Sequence, residues 1–429
     1  MKKTVTSLLL MWAIGSCSTS FLQAQTAVEK GLKSINRPSA EAIVGFLADD
    51  ALQGREAGMI GSRVAARYLV SCLQEAGIAP LYDDSYYQPF EACAKERQQK
   101  GRWQVHPDSI AQLKQGTHRS LRMANVLGMI PGERTNEYVV VGAHFDHLGI
   151  DETLAGDKIY NGADDNASGV SAVMQIARAF QTSGKKPLRN VIIAFWDGEE
   201  KGLLGSKYFM QHCDFVKDIK GYLNFDMIGR NNRPEQPEHV VYFYTEAHPA
   251  LGQWLKDDIA RYGLKLQPDY RPWDRPVGGS DNASFAVHDI PIIWYHTDGH
   301  PDYHQPSDHA DKLNWEKVVE ITKLLSSMPG TWLTRNRIKP SSYTEQFHVR
   351  FGGSNASDAE LFYQHFGYVG RKEGRKRRTQ VDMLHAQAQE GQQDDDRLLF
   401  VPGNVVHDGE FVDVVQLEDF LQLQGNDGQ

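Results

Sequence analysis

The chain is poor in cysteine, has no excess of basic charge, and its N-terminal apolar run is too short to span a bilayer as a mature helix. Each shortage excludes something. Four cysteines in 429 residues, none arranged as Cys-x-x-Cys, exclude a disulfide framework, a structural zinc ribbon and a thioredoxin-like redox function. Lys and Arg number 46 against 55 Asp and Glu, a formal net charge of −9, so the surface is mildly anionic and nucleic-acid binding is disfavoured. The local run from Arg371 to Arg378 departs from this balance. No aromatic stacking pattern accompanies it, and it reads as a solvated loop.

What is present begins with a leader. Lys2 and Lys3 supply a positive start, and the stretch VTSLLLMWAI over 5–14 has the length of an export signal, which places the protein outside the cytoplasm. Two ends of that leader can be read. Ile14-Gly15-Ser16-Cys17 resembles a bacterial lipoprotein box, and Leu22-Gln23-Ala24 a weaker site for ordinary signal peptidase. Lipidation at Cys17, anchoring the chain to a cell-envelope membrane, is the favoured reading. It leaves Cys72, Cys93 and Cys213, enough for at most one disulfide.

With 41% hydrophobic and 24% charged residues the rest is ordinary globular composition, long enough for one large domain and a smaller unit. Arg63 to Ala76 carries Ala66, Leu69, Cys72, Leu73 and Ala76 at helical spacing, stopped by Gly77. Beyond a polar, uninformative stretch at 94–120, apolar runs alternate with helical patterns. ANVLGMI, EYVVVGAH, NVIIAFW, GYLNFDMIG, VVYFY and IPIIWYH read as strands; helices are expected over Gly169 to Phe180, Leu203 to His212, Pro249 to Tyr262 and Trp315 to Leu325. Runs apolar on both faces predict an α/β fold with a mixed, mainly parallel sheet sandwiched between helices. A boundary is placed near Arg335, giving a leader at 1–24, a main domain at 25–335 and an unassigned C-terminal extension at 336–429. Two short strands are expected there, about HDGE within 398–415.

In an open α/β sheet, ligands gather beyond the carboxyl ends of the strands. Polar residues recur there: His144 and Asp146 in AHFDHLG, Asp197-Gly198-Glu199-Glu200, Asp226, Asp164-Asp165 before a helix, and His304 and Asp308 in the loop after IPIIWYH. Singly, each is an ordinary polar turn or a helix N-terminal acid. Together, carboxylates converging on one sheet end would repel one another unless a cation sat among them. Oxygen and imidazole donors without thiolates suit catalytic zinc.

These motifs, in this order, resemble those of the co-catalytic di-zinc aminopeptidase family, which also contains glutamate carboxypeptidases and glutaminyl cyclases. The resemblance runs from about Leu47 to Leu325 and leaves the tail uncovered. It implies an exported zinc aminopeptidase acting on peptides, with two zinc ions per chain. By that resemblance His144 and Asp226 would bind one zinc, Glu200 and His304 the other, and Asp164 would bridge them. Asp146 would receive the imidazole N–H of His144, with a like role for Asp308 towards His304. Glu199 would be the general base and Tyr303 a hydroxyl donor to the developing oxyanion. His147 would be a bystander. The sequence departs from the family at Asn282, where many relatives carry histidine, which bears on the substrate pocket. Trp273, Phe285, Trp294 and Tyr295 read either as pocket lining or as core. The competing readings are a single-zinc glutaminyl cyclase, a carboxypeptidase or dipeptidase of the same fold, and a non-catalytic binding ectodomain; metal content and a substrate panel separate them.

Overall fold

The structure is a computed structural model describing residues 27–82, 84–96, 102–273 and 279–326, with short strands at 399–401, 404–407 and 410–413. The leader, Cys17 and the basic run at 371–378 lie outside the described residues. Contacts divide the chain into two units, at Ser341 and Ser342. Within the second, Leu399–Val401, Asn404–His407 and Glu410–Asp413 form a three-stranded antiparallel sheet, one strand more than the two expected.

The first unit is built on a nine-stranded mixed sheet. Its strands are β1 (Ala79–Pro80), β2 (Tyr87–Lys95), β3 (His118–Ile130), β4 (Arg134–His144), β5 (Arg189–Trp196), β6 (Ile219–Phe225), β7 (His239–Tyr244), β8 (Gln267–Pro272) and β9 (Ile292–His296). Across the sheet the order is β1-β3-β5-β4-β6-β9-β7-β8, with β2 also paired to β3. The central block β5-β4-β6-β9 is parallel throughout, whereas β3 and β7 run against it. The carboxyl ends of the four central strands therefore open on one edge, which is where His144, Asp197 and Asp226 follow.

The apolar runs explain why these strands sit in the middle. Every residue of β5 is buried. In β4 the alternation puts Val139, Val141 and Ala143 on one face and Val140 on the other. The first face packs with Val191, Ile193 and Phe195 against α1 (Arg37–Leu47), α2 (Ile60–Glu75) and α3 (Gly169–Ser183). The second packs with Ile192, Ala194 and Trp196 against Phe209 and Met210 of α4 (Leu204–His212) and against Phe285. Burying each such side chain contributes about 1.5–3 kcal/mol. A strand flanked by helices on both sides has no polar face to show, and its sequence is accordingly continuous in Val, Ile and Phe. The α1 start is fixed by Asn36, whose side chain accepts from Ser39 N–H, followed by Pro38 in the first turn.

The helices expected from 169, 203, 249 and 315 are present, as Gly169–Ser183, Leu204–His212, Ala250–Tyr262 and Trp315–Ser326. The stretch 94–120 is not featureless: it holds the end of β2, a short helix Pro107–Leu113 and the start of β3. This ribbon pairs Tyr87 with Val126 through to Lys95 with His118. Its outer part carries many half-exposed residues, so the sequence there shows no apolar run.

Candidate metal centre

The carboxyl end of β4 delivers His144, almost fully buried. Its Nε2 lies 3.2 Å from an Asp165 carboxylate oxygen and 3.5 Å from Asp226 Oδ1. The other Asp165 oxygen is 3.2 Å from His304 Nε2, and His304 Nε2 is 3.2 Å from Glu200 Oε2. Donor atoms of His144, Asp165 and Glu200 lie within 4.8 Å of one another, as do those of His144, Glu199 and Asp226. Five buried or half-buried donors from four separate segments thus converge around Asp165.

The place expected for Asp164 is held by its neighbour. Asp164 Oδ1 accepts the Gly229 N–H at 2.6 Å, and its Oδ2 faces His300 Nε2 at 3.2 Å. Two consecutive acids in one turn point opposite ways, and only Asp165 points at both imidazoles. The turn is held by Asp308, whose Oδ2 accepts the backbone N–H groups of both Asp164 (3.0 Å) and Asp165 (3.1 Å). Asp308 therefore supports the Asp165 backbone and not His304. Gly162, at φ 57°, opens the turn; a Cβ there would overlap the Asp165 carbonyl oxygen and the His147 ring, so a side chain is excluded.

Asp146 also differs from expectation. The ring N–H of His144 at Nδ1 faces the Asp146 backbone carbonyl at 3.3 Å, closer than the carboxylate at 3.7 Å. That carboxylate instead accepts the backbone N–H groups of Glu199 (3.0 Å) and Glu200 (3.4 Å), fixing the turn that carries both acids. His147 is no bystander: its Nδ1 is 2.7 Å from Glu200 Oε1, leaving Oε2 towards His304. Tyr303 is 44% exposed and its ring stacks on that of His304 at 3.8 Å. Of the four aromatics read as pocket or core, Phe285, Trp294 and Tyr295 are buried, whereas Trp273 is 37% exposed. Asn282 is buried, and its Oδ1 accepts from Asn224 Nδ2.

The electrostatics follow from the crowding. Burial works against charge on His144, but Glu199, Asp226, Asp146 and Asp165 outweigh it and hold the imidazole well above its ordinary pKa. His304 is likewise raised, to about 10, by Asp165 and Glu200 against the cost of its burial. Burial pushes Glu199 up, with Glu200, Asp281 and Asp226 adding to it and His144 opposing. Carboxylates that draw positive charge onto both neighbouring imidazoles form a donor set suited to a divalent cation, and Asp226 Oδ1 is buried without a hydrogen-bond partner. The residues present fit zinc.

Sequence reasoning gave no sign of Arg55. Fully buried, its guanidinium donates to four carbonyl oxygens: Leu47 (2.5 Å), Phe145 (2.8 Å), Asn161 (2.6 Å) and Gly162 (3.0 Å). Burial lowers its pKa to about 10, opposed by Asp146, Asp165, Asp308 and Glu200. It ties the β4 end to the Asp165 turn from beneath. No motif announces such a residue, because its partners are backbone carbonyls and any residue supplies one.

Residues 125–328 match the profile of peptidase family M28. The chain is 32% identical over 170 residues to leupeptin-inactivating enzyme 1 of Streptomyces exfoliatus, covering 39% of this chain and 34% of that enzyme. It thus spans about a third of the length of this curated relative. Its fold is that of the LapA aminopeptidase of Legionella pneumophila (TM-score 0.53, 23% identity, 71% of this chain and 73% of that one). It is likewise that of a Zn-dependent exopeptidase of Parabacteroides distasonis (TM-score 0.52, 19% identity, 70% and 99%).

Proposed function

We propose that the protein is an exported zinc aminopeptidase that removes N-terminal residues from peptides, holding two zinc ions per chain. The observation that carries this is the Asp165 carboxylate, 3.2 Å from each of His144 and His304, with Asp226 on the first side and Glu200 on the second. His144 and Asp226 form one site, Glu200 and His304 the other, and Asp165 serves both. Zinc bound there polarises a scissile carbonyl and makes a water acidic enough to attack at neutral pH.

The chain's own residues do the rest. Glu199 sits beside His144 and Asp226 with its backbone N–H fixed by Asp146, and burial raises its affinity for a proton. It takes the proton of the attacking water and returns it to the leaving amine. Tyr303, stacked on His304, offers its hydroxyl to the oxyanion, and partial burial together with the surrounding carboxylates raises the pKa of that hydroxyl. Zinc-loaded protein should hydrolyse a leucyl chromogenic amide and spare its N-acetyl counterpart, and chelation should abolish turnover. Equal cleavage of the blocked amide would remove the aminopeptidase reading, and cyclisation of glutaminyl peptides would replace it.

A further inference from the structure

We propose that a buried chain of hydrogen bonds, running from Trp196 through Tyr222, Asn224 and Ser280, determines which oxygen of Asp226 is offered to the metal, which makes Tyr222 and Ser280 positioning residues. The inference rests on Asp226 being a ligand, as proposed above.

The links are short and each direction is forced. Trp196 Nε1–H can only donate, and it donates to Tyr222 Oη at 2.9 Å. The Tyr222 hydroxyl, accepting there, gives its own proton to Asn224 Oδ1 at 2.7 Å. The amide of Asn224 is thereby oriented, and its Nδ2 donates to Ser280 Oγ at 2.8 Å and to Asn282 Oδ1 at 3.2 Å. Ser280, receiving that bond, turns its proton to Asp226 Oδ2 at 2.5 Å. Reversing any link would leave the Trp196 or Asn224 donors without acceptors in a dry interior, which is unfavourable for each stranded group. All of these residues are buried.

The sequence spacing supplies the track. Tyr222, Asn224 and Asp226 are two residues apart along β6 and its end, so they leave the same face and ascend towards the metal. Gly142 on the adjacent β4 makes room: a Cβ there would lie 2.8 Å from Trp196 Nε1 and 3.0 Å from Tyr222 Oη. With Oδ2 capped by Ser280, Asp226 Oδ1 is left bare, 3.5 Å from His144 Nε2. The relay therefore leaves Oδ1 as the oxygen that Asp226 would offer to a metal. Burial raises the Tyr222 pKa well above its usual value, so its hydroxyl remains a donor at any working pH.

The test uses the full chain and zinc alone, measured by competition with a chromophoric chelator, together with visible spectra of the cobalt-substituted protein. Ser280→Ala should weaken one zinc equivalent by roughly 10–100-fold, the usual effect of removing an outer hydrogen bond to a ligand. Tyr222→Phe, two links away, should produce the same change in smaller measure, with a shifted cobalt spectrum in both. Ser280→Thr should restore wild-type affinity and spectrum. Tyr295→Phe, an equally buried tyrosine on β9 outside the relay, controls for packing and should leave both unchanged. Wild-type zinc affinity and cobalt spectra in folded Ser280→Ala and Tyr222→Phe would overturn the proposal, provided Asp226→Asn weakens zinc. If Asp226→Asn binds zinc normally, the ligand assignment fails and the relay falls with it.

Discussion

Asp164 and Asp165 are adjacent, identical and both buried, yet their substitution by asparagine should have opposite consequences. In Asp164→Asn the amide oxygen can still accept the Gly229 N–H, and the new NH2 can donate to His300, which Asp164 Oδ2 now faces at 3.2 Å. The change should cost about 1 kcal/mol of stability, the scale of one altered hydrogen bond, and leave zinc in place. Asp165→Asn removes a negative charge that touches His144 on one side and His304 on the other. Both proposed metal positions would lose a ligand at once, and the asparagine would bring an N–H into a cluster that needs acceptors. Metal assistance contributes several kcal/mol to such hydrolyses; a loss of about 3 kcal/mol, at roughly 1.4 kcal/mol per factor of ten, lowers kcat/KM by at least about a hundred-fold. The assay is zinc content by elemental analysis of the folded variants, paired with leucyl amide hydrolysis. Asp164→Asn that loses zinc, alongside Asp165→Asn that keeps it, would refute the assignment of the shared ligand.

Glu199→Gln should retain both zinc ions while turnover falls by about two to four orders of magnitude, whereas Glu200→Gln should release zinc from the His304 side; metal analysis of the pair distinguishes base from ligand. Cys17→Ser should move the protein from the membrane fraction to the soluble one, and an unchanged distribution or a mature N-terminus at Gln25 would rule out the lipid anchor. Lys317, buried with its ammonium on the Arg230 carbonyl, has its pKa lowered by burial to about 8, with Asp164 opposing. Since the folded value lies below the unfolded one, its destabilising effect is full below about pH 8 and fades as pH rises towards 10.5. The shift corresponds to about 3 kcal/mol, less about 1 for the lost hydrogen bond. Lys317→Met should therefore stabilise the protein by roughly 2 kcal/mol at pH 7, and denaturation at pH 7 and pH 10 should show the gain shrinking; a gain constant with pH would contradict the sign.

The sheet was legible because parallel strands buried on both faces must be written in continuous Val, Ile and Phe, as in VIIAFW of β5. The antiparallel ribbon of β2 and β3 was not, since half-exposed strands mix polar and apolar residues. Strand-end position gathered the acids and imidazoles, and the family resemblance picked out His144, Glu200, Asp226 and His304, which lie close together in the structure. The resemblance took Asp164 where Asp165 faces the imidazoles, because the orientation of that turn is set by Asp308, 143 residues beyond Asp165, accepting two backbone N–H groups. His147 was dismissed for a related reason: its partner Glu200 is 53 residues away and reaches it only through the turn held by Asp146.

The buried guanidinium of Arg55 has a consequence for the order of assembly. Its four acceptors lie 8, 90, 106 and 107 residues away, on three separate stretches of chain. Contacts of such long sequence separation form late, after the entropy of closing large loops has been met. Until residues 37–55 dock, the carbonyls of Phe145, Asn161 and Gly162 lack their shared donor, and the turn presenting Asp165 is unsupported from below. The donor cluster thus gains its support only once the segment at 37–55, which precedes the M28-matching region, has folded onto the sheet that carries the donors.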